Sequence, residues 1–452
     1  MKNTIPNPNP NLELEYALDN FSDYTHSAFL VSALHWAEQH GFWQPFVRLL
    51  SVPMKRVVYT PVQKVQTLMA SIMIGCKYNK DVNFRLVPDE VAASTLGMAR
   101  FPDQSQLNLL LRRMDEANLL ELQAIHAEHL RQYERFSPSA EGRDYLLVDI
   151  DQCGLIANGK TYELSRKGYF PHRRGERGYQ MSFGACDAWL GSSAATLGLR
   201  LDSGNTHCSV HFREMVELSE ARCYTSGVRR KMVFRVDGGY GTQPQIRWMI
   251  STERLFVAKA ATTRPRKWAA KVMPQDWQRV DEGAQGVRVA EVAGGPYVRA
   301  IVCEVTPPGV EGRVEYSLLL TNLPPQEFGA VALWHLYAGR QTIEAFFKMG
   351  RNVYGLGNLR SRSFHAIYAF LWLVFITHNL LQWVKQALFG GTPLEGVGTR
   401  ELVERIGRIP AWRERTEGGW RLHLPAQDAL ARLFVQALCP HWVQTPLRLY
   451  ET

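Results

Sequence analysis

Tyr145-Leu146-Leu147-Val148-Asp149-Ile150-Asp151 is the stretch that decides the fold. Large apolar side chains dominate it and no turn former interrupts it, so it reads as a buried β-strand. Alternation along a strand puts Asp149 and Asp151 on the same face, at the carboxyl end where α/β sheets place their sites. A second run, Met232-Val233-Phe234-Arg235-Val236-Asp237, has the same texture and also ends in an aspartate. Gly238-Gly239-Tyr240-Gly241 follows it, a turn whose missing side chains let a bulky ligand reach the carboxylate.

Working outward, Tyr179 to Ala185 and Ala194 to Leu201 alternate like a hairpin turning near Gly191-Ser192-Ser193, and Thr206 to Ala221 has helical texture. Three antiparallel strands, a helix and a returning strand give the order of an α/β, ribonuclease-H-like core. Residues 286–292, 297–304 and 314–322 are again strand-like, with Gly294-Gly295-Pro296 as a turn, and read as a β insertion into that core. Gln326 to Arg351 and Ser363 to Leu388 predict two long helices.

The N-terminal third is mostly helical. Val62 to Ile74 predicts a buried helix, and Asp103 or Ser105 can cap the helix that follows Phe101-Pro102. Leu107, Leu110, Leu111 and Met114 form its apolar face, flanked by Arg112 and Arg113. That pattern fits a helix-turn-helix-like DNA reader, and equally a plain helical bundle. Ser137 to Gly142 reads as a linker, and Glu417-Gly418-Gly419 as a hairpin turn ahead of a helix from Ala426 to Leu438. The expected units are therefore a helical domain at 1–138 for DNA ends, a first core part at 139–250, and a β-rich insertion at 251–325. The remaining core follows at 326–390, and a C-terminal region at 391–452 suits dimerisation.

The formal net charge is +9 with a pI near 9.2, which suits a polyanionic partner without proving one. Seven scattered cysteines with no CxxC pair argue against a disulfide framework or structural zinc and point to a reducing cytosol. Met1 to Leu14 has no apolar signal-like segment. The apolar run Ala366 to Ile376 is too short to span a bilayer and continues into Thr377-His378-Asn379, so it reads as a buried helix with a satisfied polar pair and no membrane role.

Tyr337, Arg340, Glu344, Lys348 and Arg351 are spaced three, four, four and three apart, along one face of a single helix. Arg340, Glu344 and Lys348 could be an ordinary solvated charge ladder. Against that, Ile343, Phe346 and Phe347 make the other face bulky and apolar, so the helix packs on something. Two strand-end aspartates and one helical glutamate can converge on a pair of divalent metals for phosphodiester chemistry. Tyr337 would stack on a base or donate to a phosphate, and Arg340, Lys348 and Arg351 would neutralise phosphates. Two further clusters carry cations among aromatics. Lys160 to Arg177 includes Arg173 and Arg174 with Tyr162, Tyr169, Phe170 and His172, and Thr262 to Lys271 includes Arg264, Arg266, Lys267 and Trp268. Either could be a solvated surface; beside a carboxylate site they favour nucleic acid.

On these residues the chain resembles a bacterial insertion-sequence transposase of the cut-and-paste DDE class, in the group marked by a Tyr-x2-Arg-x3-Glu-x6-Lys helix. Tyr337, Arg340 and Glu344 match in register, Arg351 stands at the lysine position, and Lys348 could substitute. Arg235-Val236-Asp237-Gly238-Gly239-Tyr240 matches the run around the second acid, and Asp151-Gln152-Cys153 stands where Asp-x-Thr is usual. The similarity runs from about residue 60 to about residue 385.

The resemblance implies Asp151, Asp237 and Glu344 as catalytic residues and metal ligands, with Asp149 either a supporting partner or an alternative ligand. It implies two Mg²⁺ ions, with Mn²⁺ substituting, ~4 Å apart in such sites. It also implies nicking at transposon ends and strand transfer by the freed 3′-OH. The partners would be double-stranded DNA with terminal inverted repeats, target DNA and a homodimer pairing two ends. The setting would be the bacterial cytoplasm, at the nucleoid. The alternatives are a ribonuclease-H-like nuclease that cuts without joining, or a domesticated DNA-binding protein; a carboxylate-pair glycosidase fits the basic loops poorly.

Overall fold

The computed structural model describes residues 23–54, 58–136, 145–168, 170, 175–186, 195–224, 232–280, 286–307, 313–417 and 419–439. The linker expected at 137–142, the turn expected at Gly191 to Ser193, and Tyr169, His172, Arg173 and Arg174 lie outside them.

The N-terminal helices used below are α1 (Ala28–Gln39), α2 (Gln44–Leu49), α3 (Pro61–Met73), α4 (Gln104–Arg113) and α5 (Glu116–Tyr133). Asp103 caps α4 by accepting from the N–H groups of Ser105 (2.9 Å) and Gln106 (3.1 Å), as the sequence suggests. Leu107, Leu110, Leu111 and Met114 turn inward, while Arg112 and Arg113 stay exposed.

The sheet begins with β1 (Leu146–Ile156), β2 (Arg177–Cys186) and β3 (Ala195–Ser203), continues after α6 (Phe212–Tyr224) with β4 (Met232–Val236), and after α7 (Gln243–Ser251) with β5 (Leu255–Lys259). β2 pairs antiparallel with both β1 and β3, while β1 pairs with β4 and β4 with β5 in parallel. The spatial order is β3-β2-β1-β4-β5. This is a mixed α/β architecture with a central mixed sheet, compatible with a ribonuclease-H-like domain. Leu146 to Ile150 are buried without alternation, because β1 lies mid-sheet with both faces covered.

β6 (Val287–Gly295), β7 (Val298–Val305) and β8 (Glu315–Thr321) extend the same sheet, with β8 adding antiparallel to β5. The boundary drawn at 250 thus falls before β5, a strand of the central sheet. The segment expected as one helix from Gln326 to Arg351 is two helices, α8 (Ala330–Ala338) and α9 (Gln341–Met349), followed by a π turn at Gly350–Tyr354. The break falls at Gly339–Arg340, where Arg235 Nη1 donates to the Leu336 carbonyl (3.0 Å). A side chain at 339 would bring its Cβ to 2.8 Å from the same Nη1. A guanidinium from β4 therefore holds the carbonyl that the Arg340 N–H would take in a continuous helix, and the Arg340 N–H donates to the Tyr337 carbonyl instead (3.0 Å).

α10 (Phe364–Phe389) is the central post. It is long and apolar enough to cross a membrane, but 89% of its most apolar window is buried inside the fold. It packs on β3 and on α1, α3, α4 and α5, so the N-terminal helices and the sheet share one core. Its polar pair is satisfied. Asn379 Nδ2 donates to the Thr196 carbonyl (3.0 Å), and the Tyr354 hydroxyl lies 3.1 Å from His378 Nδ1. Past α10, the hairpin expected near 417–419 forms as β9 (Ala411–Thr416) and β10 (Gly419–His423), before α11 (Ala429–Leu438).

Candidate active site

The parallel register pairs Ile150 with Val236, and Asp151 and Asp237 follow these residues on the neighbouring strands. Asp237 ends its strand as the sequence suggests, but Asp151 does not: β1 runs on to Ile156 against β2, and Asp151 stands where the parallel pairing with β4 stops. Asp151 Oδ2 is 2.6 Å from Arg340 Nη2, and its Oδ1 accepts from the Gln152 N–H (2.8 Å). Burial pushes the Asp151 carboxyl up to about 6; Arg340 pulls against that rise and the charge of Asp237 adds to it. Asp237 opens a tight turn. Its Oδ1 accepts from Gly239 N–H (3.0 Å), and its carbonyl from Tyr240 (3.1 Å) and Gly241 (3.0 Å). Gly241 owes its identity to the backbone behind it, since a Cβ there would fall 1.8 Å from the Lys259 carbonyl oxygen.

Glu344 projects from α9, its side chain 68% exposed and its Oε1 3.7 Å from Arg340 Nη1. Arg340 is itself buried and bridges Asp151 to Glu344. It lies among the carboxylates, just past the break at Gly339. Asp151, Glu344, Lys348 and Arg351 line one open cleft of about 760 Å³, together with Phe170 and Phe347. Arg351 Nη2 lies 3.0 Å from both Cys153 Sγ and the Gly154 carbonyl, so the cation at the usual lysine position is held against β1. Tyr337 is half-buried against a second apolar cluster, and burial pushes its hydroxyl up to about 12. Arg264 and Lys267 are exposed outside the cleft, on a short helix beyond β5. That segment is tied to the Asp237 turn by Ala261 N–H donating to the Gly241 carbonyl (3.0 Å).

Asp149 is no ligand in waiting. It is fully buried, and Arg235 grips both its oxygens, from Nε at 2.8 Å and Nη2 at 2.7 Å. This clamp joins β1, β4 and, through the Leu336 carbonyl, the end of α8. Sequence reasoning missed Arg235 as its partner. The signal was present in the equal spacing of Asp149-x-Asp151 and Arg235-x-Asp237, which parallel pairing turns into a facing pair.

Among the described residues, no three His, Cys, Asp or Glu side chains are already gathered as a metal centre. The donor chemistry nonetheless suits hard cations. Two adjacent carboxylates present oxygen ligands beside a single arginine, and a third stands at the rim of the same cleft. A search of curated proteins returns no match. The sequence model of the transposase DDE domain group 1 family matches residues 30–440, and the chain belongs to that family.

Proposed function

We propose that this DDE transposase excises its element by metal-dependent cleavage at the transposon ends and joins the freed 3′-OH ends to target DNA, the cut-and-paste route. The observation that supports the reading is that Asp151 and Glu344 line one cleft, while Asp237 follows the strand paired in parallel with β1 and acts on the Asp151 carboxyl through its charge. Asp151 and Asp237 would hold divalent cations, Mg²⁺ or Mn²⁺, with Glu344 completing the set. Such ions supply an activated water and stabilise the charge of in-line displacement at phosphorus. The chain's own residues do the rest. Lys348 and Arg351 position backbone phosphates in the cleft. Arg340 neutralises the carboxylates and turns to phosphate when DNA arrives, and Tyr337 orients it. The partners are DNA bearing terminal inverted repeats, target DNA, and a second copy of the chain to pair two ends.

The test is excision from a plasmid bearing the native locus with its flanking DNA, comparing wild type with Glu344→Gln in Mg²⁺. Release of a defined segment should fall at least ~100-fold in the variant while DNA binding persists. Equal loss of binding and cleavage would make Glu344 structural, and cleavage without joined products would leave a nuclease.

A further inference from the structure

Beside the segment that leaves α9, a second basic surface plays no part in the chemistry at Asp151. Past α3 the chain turns at Gly75 and runs Lys77-Tyr78-Asn79-Lys80-Asp81-Val82-Asn83-Phe84-Arg85. Asn79 and Val82 point inward, while Lys77, Tyr78, Lys80 and Phe84 are exposed, Phe84 at 77% and Tyr78 at 51%. The one acid in the run, Asp81, directs Oδ2 at the N–H groups of Lys77 and Tyr78 (2.9 Å each). Lys80 Nζ lies 5.6 Å from the Tyr78 ring centre. Phe84 and Arg85 continue into an open pocket shared with His26, Asp89 and Arg408. Asp89 there is buried, with its oxygens bonded by Thr25 Oγ1 (2.7 Å) and the Ala92 N–H (2.9 Å). The outward charge of this face is therefore positive, and two large aromatic side chains stand in it without cover.

The same face is bolted to the site. Arg360 Nη1 donates to Ser71 Oγ (2.7 Å), its Nη2 to the Cys76 carbonyl, and its guanidinium lies 4.7 Å from the Phe370 ring centre. Arg360 adopts φ +49°, a left-handed conformation that costs a residue with a side chain and persists only where contacts impose it. Gly355, with φ +69°, approaches so closely that a Cβ would lie 3.3 Å from Lys77 Cα, and Gly357 two residues on lines the Asp151 cleft. Lys77 therefore packs against Gly355, two residues before a glycine that lines the cleft of Lys348 and Arg351.

We propose that Lys77 to Arg85 is a duplex-DNA contact surface, on which DNA engaged in the Asp151 cleft continues with its phosphates against Lys77, Lys80 and Arg85. The inference rests on the transposase reading and adds to it a contact region outside the cleft. Lysines and arginines beside exposed aromatics fit a phosphate backbone and its sugars. Anchoring by Arg360 and Gly355 keeps that backbone in register with Glu344.

The experiment uses the full chain and a fluorescent duplex of about 40 bp and random sequence, because phosphate contacts are read without sequence. Binding is followed from about 50 to about 250 mM salt, with excision from the native-locus plasmid run in parallel. Lys77→Ala/Lys80→Ala should bind roughly 10-fold more weakly at low salt, with the slope of log K against log salt lowered by about 2. Lys77→Arg/Lys80→Arg should restore both values, and melting temperatures should match wild type, since both side chains are exposed. An affinity and slope equal to wild type in the alanine variant would overturn the surface alone. A wild-type protein that binds no duplex and excises nothing would overturn the transposase reading with it.

Discussion

β1 carries two aspartate–arginine pairs two residues apart on one face, and they have opposite fates. Asp149 and Arg235 are both fully buried, with both carboxylate oxygens bonded to the guanidinium. Asp151 and Arg340 keep side-chain exposures of 13% and 8%, and Asp151 lines a cleft with Glu344. The chemistry is the same and the strand is the same; only access differs. A sealed pair is scaffold, because nothing can displace either partner. An open pair is a site, because a metal can compete for the carboxylate and a phosphate for the guanidinium. The sealed pair also shapes the open one. Arg235 takes the Leu336 carbonyl and packs against Gly339, at the break immediately before Arg340.

The largest expected effect breaks the sealed pair. Arg235→Ala leaves Asp149 as an unpaired buried charge and should cost about 3–5 kcal/mol of stability in urea denaturation. A cost below about 1 kcal/mol would mean that water reaches Asp149 and that the contrast between the two pairs is false.

His129 lies beneath α2 with Nε2 2.8 Å from the Phe42 carbonyl, and burial pulls its pKa down to about 4; burial lowers His126 as well. A histidine lowered on folding binds more protons when unfolded, so its stabilising contribution is whole above about 6.5 and is lost as pH falls toward about 4. His129 alone should remove about 2 kcal/mol by pH 5, measured by urea titration against pH 8. His129→Gln should flatten that dependence, and an unchanged slope would place the charge elsewhere.

The smallest effect belongs to the exposed end of the cleft. Lys348→Ala should leave stability within about 0.5 kcal/mol of wild type and lower the salt slope of duplex binding by about 1. An unaltered slope would take Lys348 off the DNA path.

The sequence disclosed what depends on local pattern. Apolar runs ending in aspartate located β1 and β4, and the spacing from Tyr337 to Arg351 drew attention to Glu344. Asp103 marked the start of α4, and the polar pair inside α10 is satisfied as expected. The rest is set by partners far along the chain. Helical periodicity placed Arg340 on a face but could not say what that face meets, and the break at Gly339 depends on a guanidinium from β4. Strand texture at 286–322 was legible, while its joining to β5 is a choice among edges that no local residue announces. The roles of Asp149 and Arg235 needed the parallel register.

Excision by Asp151→Asn, set beside Asp149→Asn at equal folded concentration, tests most directly that the open pair is the reaction centre and the sealed pair its support. Asp151→Asn should melt near wild type and release no DNA, whereas Asp149→Asn should melt much lower and still excise at temperatures where it is folded. Excision by Asp151→Asn at the wild-type rate, or a fully stable but inactive Asp149→Asn, would contradict it.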